Sequence, residues 1–402
     1  MVNNQSDDET DLCTQWLLEP VINWLLNEGR LVSSVDEFTR NLGDTLCKAG
    51  APLSRIRLSM RTLHPLVAAS TTAWSKDEDF IQPIESTHGI EQRPSFIGSP
   101  FSIIIETEST YRKRLEEPLN KDEHIALHEI KAGGGTDYLG LPLPFSDGNF
   151  AIIAYTTVRP GGFDNSDVTQ LTRLATMLAP IAEVFSEKRV SRAVTQAYLG
   201  NRTGQRVLNG QIRRGDIEQI EAAILMSDIR DWTGWNTRVS GEEALAMANR
   251  YFDVICDAIE DNGGEILKFI GDSVLAVFPL EDESLNPSSV CENALAAAKQ
   301  AVRVADEIDP PLEVEFGVGM HFGQVHYGNI GSKTRIDFTV MGQAVNTTAR
   351  IESLCSELNT PVLFSESFAK KLSETSIQVG EEVLKGYEIS FKVMTSEEFK
   401  NS

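Results

Sequence analysis

No apolar run in this chain of 402 residues approaches the length of about 20 that a membrane-spanning helix needs. Cysteine is sparse. The five that occur (Cys13, Cys47, Cys256, Cys291 and Cys355) have no paired spacing, which excludes a disulfide frame or a zinc-finger arrangement. Scattered thiols of this kind suit a reducing, cytoplasmic location. Basic residues are outnumbered 36 to 59, leaving a net charge of −23, and so acidic a chain repels nucleic acid and anionic membrane. The opening "MVNNQSDDETD" carries neither the basic region nor the apolar core of a secretory signal. Internal repeats and low-complexity tracts are absent. What remains is an apolar fraction typical of folded proteins, over a length that suits two or three domains.

Four segments are expected. Residues 1–33 hold a polar tail and the amphipathic helix "CTQWLLEPVINWLLNEG", broken near Pro20, whose apolar residues include Trp16, Leu17, Ile22, Trp24, Leu25 and Leu26. Its polar face lacks the lysine and arginine that membrane-surface helices favour, so it is expected to pack on its own domain or a second copy. Residues 34–188 begin with a helix that Ser34 caps and Gly50 stops. The strand-like segments "RIRLSMRTL", "LVAASTTAW", "FSIIIET" and "FAIIAYTTV" follow, then a long helix starting near Asp164 or Ser166. That order resembles a GAF-type α/β sensor domain. Within it, "HIALHEI" sets His124 and His128 one helical turn apart, which reads either as a metal or haem site or as a solvated helix face. Residues 189–219 read as a helical linker or transducer.

Residues 220–395 read as strand 221–228, helix 241–261, strands 264–270 and 273–278, helix 287–307, strands 313–322, 324–330 and 336–341, and helix 343–356. This is a ferredoxin-like βαββαβ palm, so the whole chain is expected to be α+β. "EILKFIGDSVLAVF" is a buried hairpin that carries Lys268 inside its first strand and Asp272 at its turn. Buried charges require a partner, metal or ligand. Asp228 ends the preceding apolar strand and falls beside that turn. Two carboxylates meeting there repel unless cations lie between them. Mg²⁺ takes oxygen ligands of this kind together with substrate phosphates. The segment "DIRDWT" offers the Ile229 carbonyl to a metal, and backbone N–H groups, with Trp232 and Thr233 among its residues, to phosphates. "GGEIL" resembles a diguanylate cyclase signature, but there the glycine pair sits at the hairpin turn, one strand later than here.

The motifs "SDIRDWT", "LKFIGDSVLAVF", "GVGMHFGQVHYGNIG", "DFTVMGQAVNTTARIE" and "LKG" together resemble the catalytic domain of class III nucleotidyl cyclases, over nearly half the chain. The resemblance implies that Asp228, Ile229 and Asp272 hold two Mg²⁺ or Mn²⁺ ions per active site. Lys268 falls where adenylate cyclases read the base. Thr339 falls at its usual aspartate partner, and Asp337, two residues earlier on the strand, is set aside as its substitute. Asn346 is implied to orient the ribose, Arg350 to stabilise phosphate charge, and Lys385 to reach the terminal phosphate. The activity implied is conversion of ATP to 3′,5′-cyclic AMP and pyrophosphate at a homodimer interface. Control would come from a small-molecule or protein signal at the N-terminal region. A cyclase for GTP or a pyrimidine triphosphate, or a non-catalytic dimeric signalling module, are the competing expectations.

Overall fold

The computed structural model describes residues 16–61, 67–87, 89–280, 286–382 and 390–400. It divides into two compact units with the boundary between Val194 and Thr195. The first unit runs α1 (Leu18–Asn27), α2 (Val35–Lys48), β1 (Arg55–Arg61), β2 (Val67–Ser75), β3 (Glu78–Thr87), α3 (Pro100–Thr107), β4 (Tyr111–Arg114), α4 (Ile125–Ala132), β5 (Asp137–Pro144) and β6 (Phe150–Thr157). The boundary falls within α5 (Asn165–Leu199). Among the described residues the strands form an antiparallel sheet in the order β3-β2-β1-β6-β5-β4. Period-2 alternation sends Ile56, Leu58 and Met60 of β1 to one face, where Leu139 and Leu141 of β5 and Ile153 of β6 join them. Helices α1, α2 and α5 cover that face with Val21, Leu25, Phe38, Leu42, Leu171 and Leu174.

Three expectations change here. Pro20 does not break the first helix; it lies in the first turn of α1, where a missing N–H costs nothing. "FSIIIET" is helix α3, not a strand. Its β-branched run favours a strand locally, but Ser99 caps the segment by accepting from Ser102 N–H, and Pro100 holds the first helical position. His124 and His128 do not share a helix face either. His124 is the residue before α4, and its Nδ1 accepts from Ala126 N–H, while His128 contacts the Asn120 carbonyl.

The second unit runs α6 (Asn201–Leu208), β7 (Ile217–Ile229), α7 (Trp232–Asn236), α8 (Gly241–Asp261), β8 (Glu265–Ile270), β9 (Ser273–Pro279), α9 (Pro287–Glu307), β10 (Phe316–Gly331), β11 (Ile336–Met341), α10 (Gln343–Glu357), β12 (Val362–Ser365), α11 (Glu366–Ala369), β13 (Ser376–Glu382) and β14 (Phe391–Ser396). Elements β7-α8-β8-β9-α9-β10 are the βαββαβ palm. Its sheet is ordered β13-β14-β12-β10-β7-β9-β8 among the described residues, with β11 paired to β10. A reciprocal Ser240–Glu243 capping box starts α8, and Asn286 followed by Pro287 starts α9. Against one face of the sheet α9 buries an alanine-rich stripe and α8 larger side chains such as Tyr251, Val254 and Ile255. On the other face α10 lies against β10. The two strands expected at 313–322 and 324–330 are one strand, β10, whose pairing with β7 passes through Gly323 without a break. The glycine serves packing, because a Cβ there would stand 3.0 Å from that of Ala344 on α10. No helix among the described residues is long and apolar enough to cross a membrane.

Part of the segment expected to be a linker is ordered by a buried carboxylate. Glu265, at the start of β8, is 5% exposed. It accepts from the backbone N–H and hydroxyl of Thr203 on α6 and from the Tyr327 hydroxyl on β10. The Arg206 guanidinium of α6 stacks 4.9 Å from the centre of the Tyr327 ring. Glu265→Ala leaves those donors buried without an acceptor and is expected to cost about 2–3 kcal/mol. Glu265→Gln, which keeps one oxygen, should cost less. Thermal denaturation of the purified variants checks the order.

Candidate active site

The register of two strand pairs assembles the acidic site. In the β7–β9 ladder Ser227 faces Val274, so Asp228, one residue on, lies opposite Ser273 at the mouth of the β8–β9 hairpin. Ser273 donates to an Asp228 carboxylate oxygen at 2.8 Å. The hairpin closes through Gly271 and Asp272, and Gly271 takes the left-handed φ of +68° that a two-residue turn demands. Burial, then neighbouring Asp228, push the Asp272 carboxyl up from 3.8 to about 6. The two carboxylates therefore meet as expected. Among the described residues no group of three or more His, Cys, Asp or Glu could hold a metal ion. The Ile229 side chain is buried in the core, which leaves only its backbone to face a metal. Trp232 and Thr233 stand on the short α7 that follows. Trp232 stacks on Trp235 with ring centres 5.5 Å apart, and Thr233 is exposed.

Two side chains that sequence reasoning passed over belong to this site. One is Ser273, whose position at the start of a strand is unremarkable without the ladder register. The other is Glu352 on α10. Its carboxyl is pushed up from 4.5 to about 7, chiefly by burial and then by Asp228, while Arg230 pulls it down. Arg230 is anchored to the Cys355 carbonyl at 3.0 Å. Helix α10 comes this close because β10 presents glycines beneath it. A Cβ on Gly319 would stand 2.4 Å from the Glu352 backbone nitrogen. Nothing in the sequence links Glu352 to Asp228 until α10 is laid on the sheet.

Lys268, expected to read the base, has a partner in this structure that was not expected. Lys268 forms an ion pair with Asp337 of β11, the residue that had been set aside. The cause is a bulge. Ile266 faces Ala276, but Lys268 rather than Leu267 faces Leu275, so the strand re-aims Lys268 toward the face that carries β11. Thr339 is buried on β11, opposite Gly328. Asn346 and Arg350 lie one turn apart on α10, Asn346 exposed and Arg350 half-buried. Lys385 lies outside the described residues.

The model for the adenylate and guanylate cyclase catalytic domain matches residues 217–394. This stretch is a class III adenylate/guanylate cyclase catalytic domain. The cyclase domain has curated relatives in the terminal-differentiation-specific adenylate cyclase of Dictyostelium discoideum (33% identity, 40% of this chain, 8% of that protein) and the adenylate cyclase of Anabaena cylindrica (32%, 37% and 30%). Adenylate cyclase 1 of Rhizobium meliloti (strain 1021) is 32% identical over 36% of this chain. The chain thus spans less than a third of the length of these relatives, 22% in the last case. Among solved structures, a bacterial light-regulated adenylyl cyclase is similar at 29% identity and a TM-score of 0.40, covering 46% of this chain and 93% of that one. The guanylyl cyclase Cya2 is similar at 26% identity and a TM-score of 0.34, with 44% and 91% covered.

The raised Glu352 carboxyl has a measurable sign. Between pH 4.5, where it titrates in an unfolded chain, and about pH 7, where it titrates in the fold, the folded cyclase domain holds the extra proton. Raising pH through that window therefore lowers stability. Glu352→Gln removes this loss. In chelator-treated protein its Tm should gain on that of the wild type from pH 5 to pH 8, as read by differential scanning fluorimetry.

Proposed function

We propose that this chain converts ATP into 3′,5′-cyclic AMP and pyrophosphate, in a site completed by a second copy. The observation that carries the reading is the meeting of Asp228 and Asp272 at adjacent strand ends, where burial and the neighbouring Asp228 disfavour the charge of Asp272. Such a pair fits hard divalent cations. Asp228, Asp272 and the Ile229 carbonyl are the ligands we assign to two Mg²⁺ or Mn²⁺ ions per site. When bound, the ions would lower the pKa of the attacking hydroxyl and offset charge on the leaving pyrophosphate. Ser273 keeps one Asp228 oxygen oriented.

Around that centre the side chains divide the remaining work. Lys268 donates to adenine N1, and the Asp337 carboxylate beside it, or the Thr339 hydroxyl, accepts from the exocyclic amine. Asn346 orients the ribose. The 3′-hydroxyl gives its proton to water and its oxygen bonds to the α-phosphorus as the bond to the pyrophosphate oxygen breaks, and the Arg350 guanidinium stabilises charge on the phosphates. Trp232 and Thr233 flank the phosphates from α7. Residues 350 and 352 are separated by about 200° around a helix of 3.6 residues per turn. With Glu352 facing Asp228, Arg350 therefore turns away from the acidic pair of its own chain. A two-fold pair of chains supplies each acidic pair with the other copy's Asn346 and Arg350. The first unit we assign to sensing a small-molecule or protein signal.

Two experiments test this. Asp272→Ala and Arg350→Ala should each lose activity by about 100-fold or more. Mixed in equal amounts after exchange, they should regain up to about a quarter of the wild-type rate, since half the dimers carry one intact site. Failure to regain any activity rejects the shared site. Separately, each nucleoside triphosphate is offered with Mn²⁺. ATP is expected to be preferred, and Asp337→Asn to narrow its lead over GTP by about 10-fold. An equal or greater rate with GTP or a pyrimidine triphosphate would transfer the reading to that base.

A further inference from the structure

The first unit buries one face of its sheet under α1, α2 and α5. The opposite face carries a cavity of about 240 Å³, room for several water molecules. Alternation puts Arg57 and Ser59 of β1 on this side, with Tyr138 of β5 and Ile152 of β6. Helices α3 and α4 roof it with Phe101, Ile105, Ala126 and Ile130. The walls are mostly apolar, which suits the body of a small organic ligand.

Two donors in this lining have no acceptor among the described residues. Arg57 Nε is buried and unpartnered, and among the described residues no carboxylate is within ion-pair distance of its guanidinium. Arg55 and the exposed Glu129 are the charges nearest in influence, and burial pulls the Arg57 pKa below its ordinary value. The second donor is His124. Its Nδ1 accepts from Ala126 N–H, so the ring proton sits on Nε2, and Nε2 is buried with no partner. A buried unsatisfied donor is costly, and two beside one apolar cavity are a site awaiting an acceptor. One cation and one neutral donor match a monoanion with two acceptor oxygens.

We infer that this cavity binds a small organic carboxylate with an aromatic or branched aliphatic body, its head held by Arg57 and His124. Arg57 offers an N–H in a charge-assisted hydrogen bond to one oxygen, and His124 Nε2–H reaches the head from the α4 side. The apolar body lies among Phe96, Phe101, Ile130 and Ile152. The inference stands apart from the cyclase reading, because its test uses no nucleotide.

The test uses the full chain and a panel of benzoate, phenylacetate and 3-methylbutanoate, each alongside its neutral amide. Calorimetric titration and thermal shift are read for each. At least one acid should bind and raise Tm, with its amide weaker by about 10-fold or more. Arg57→Gln should weaken that acid by about 10-fold while its own Tm stays near wild type, and Arg57→Lys should keep part of the affinity. If Arg57→Gln fails to fold, Ala126→Leu, which fills the cavity from α4, must abolish binding instead. Amides that bind as well as acids, an Arg57→Gln protein with unchanged affinity, or no binding by any acid up to about 10 mM would each overturn the assignment.

Discussion

Two carboxylates that repel each other are held together by main-chain hydrogen bonds, and the second unit is organised around that constraint. Asp228 cannot leave, because β7 is an interior strand, paired on one side with β10 and on the other with β9. Asp272 cannot leave, because a two-residue turn fixes it beside Ser273. Electrostatic cost is thus built into the frame rather than relaxed by it. Such stored unfavourable charge is characteristic of sites that complete themselves with a bound cation.

Close packing carries the same tension into α10. The helix approaches β10 over glycines whose missing side chains leave room for the Glu352 backbone. That approach buries Glu352 against Asp228 and holds Asn346 and Arg350 on other faces of a rigid element. A single helix therefore presents a carboxylate inward and a guanidinium elsewhere, and this division underlies the proposal of a shared site.

Much of the second unit could be read in the order of residues alone. Its apolar strands, capped helices and acidic turn are local signals, and local signals survive without tertiary information. The features that could not be read depend on contacts between distant segments. The bulge that turns Lys268 toward Asp337 is a property of the β8–β9 ladder, not of either strand. Gly323 looks like a break in the chain but serves a helix packed above it. In the first unit, "FSIIIET" has the composition of a strand, and only the Ser99–Pro100 start directs it into a helix. The cavity beneath α3 escaped notice for the same reason. The role of His124 depends on its place as the residue before α4, where spacing alone had paired it with His128.

The buried Glu265 bears on how this protein can be divided. One of its two oxygens is satisfied by Thr203, which lies upstream of residue 217, where the match to the family begins, and the other by Tyr327. A fragment cut at that limit would keep the carboxylate and its Tyr327 donor but discard both Thr203 donors, leaving one buried oxygen unmatched at the root of the strand that bears Lys268. The smallest self-sufficient catalytic piece therefore starts ahead of Asn201, and the short helix before the domain is better counted as part of it than as a tether.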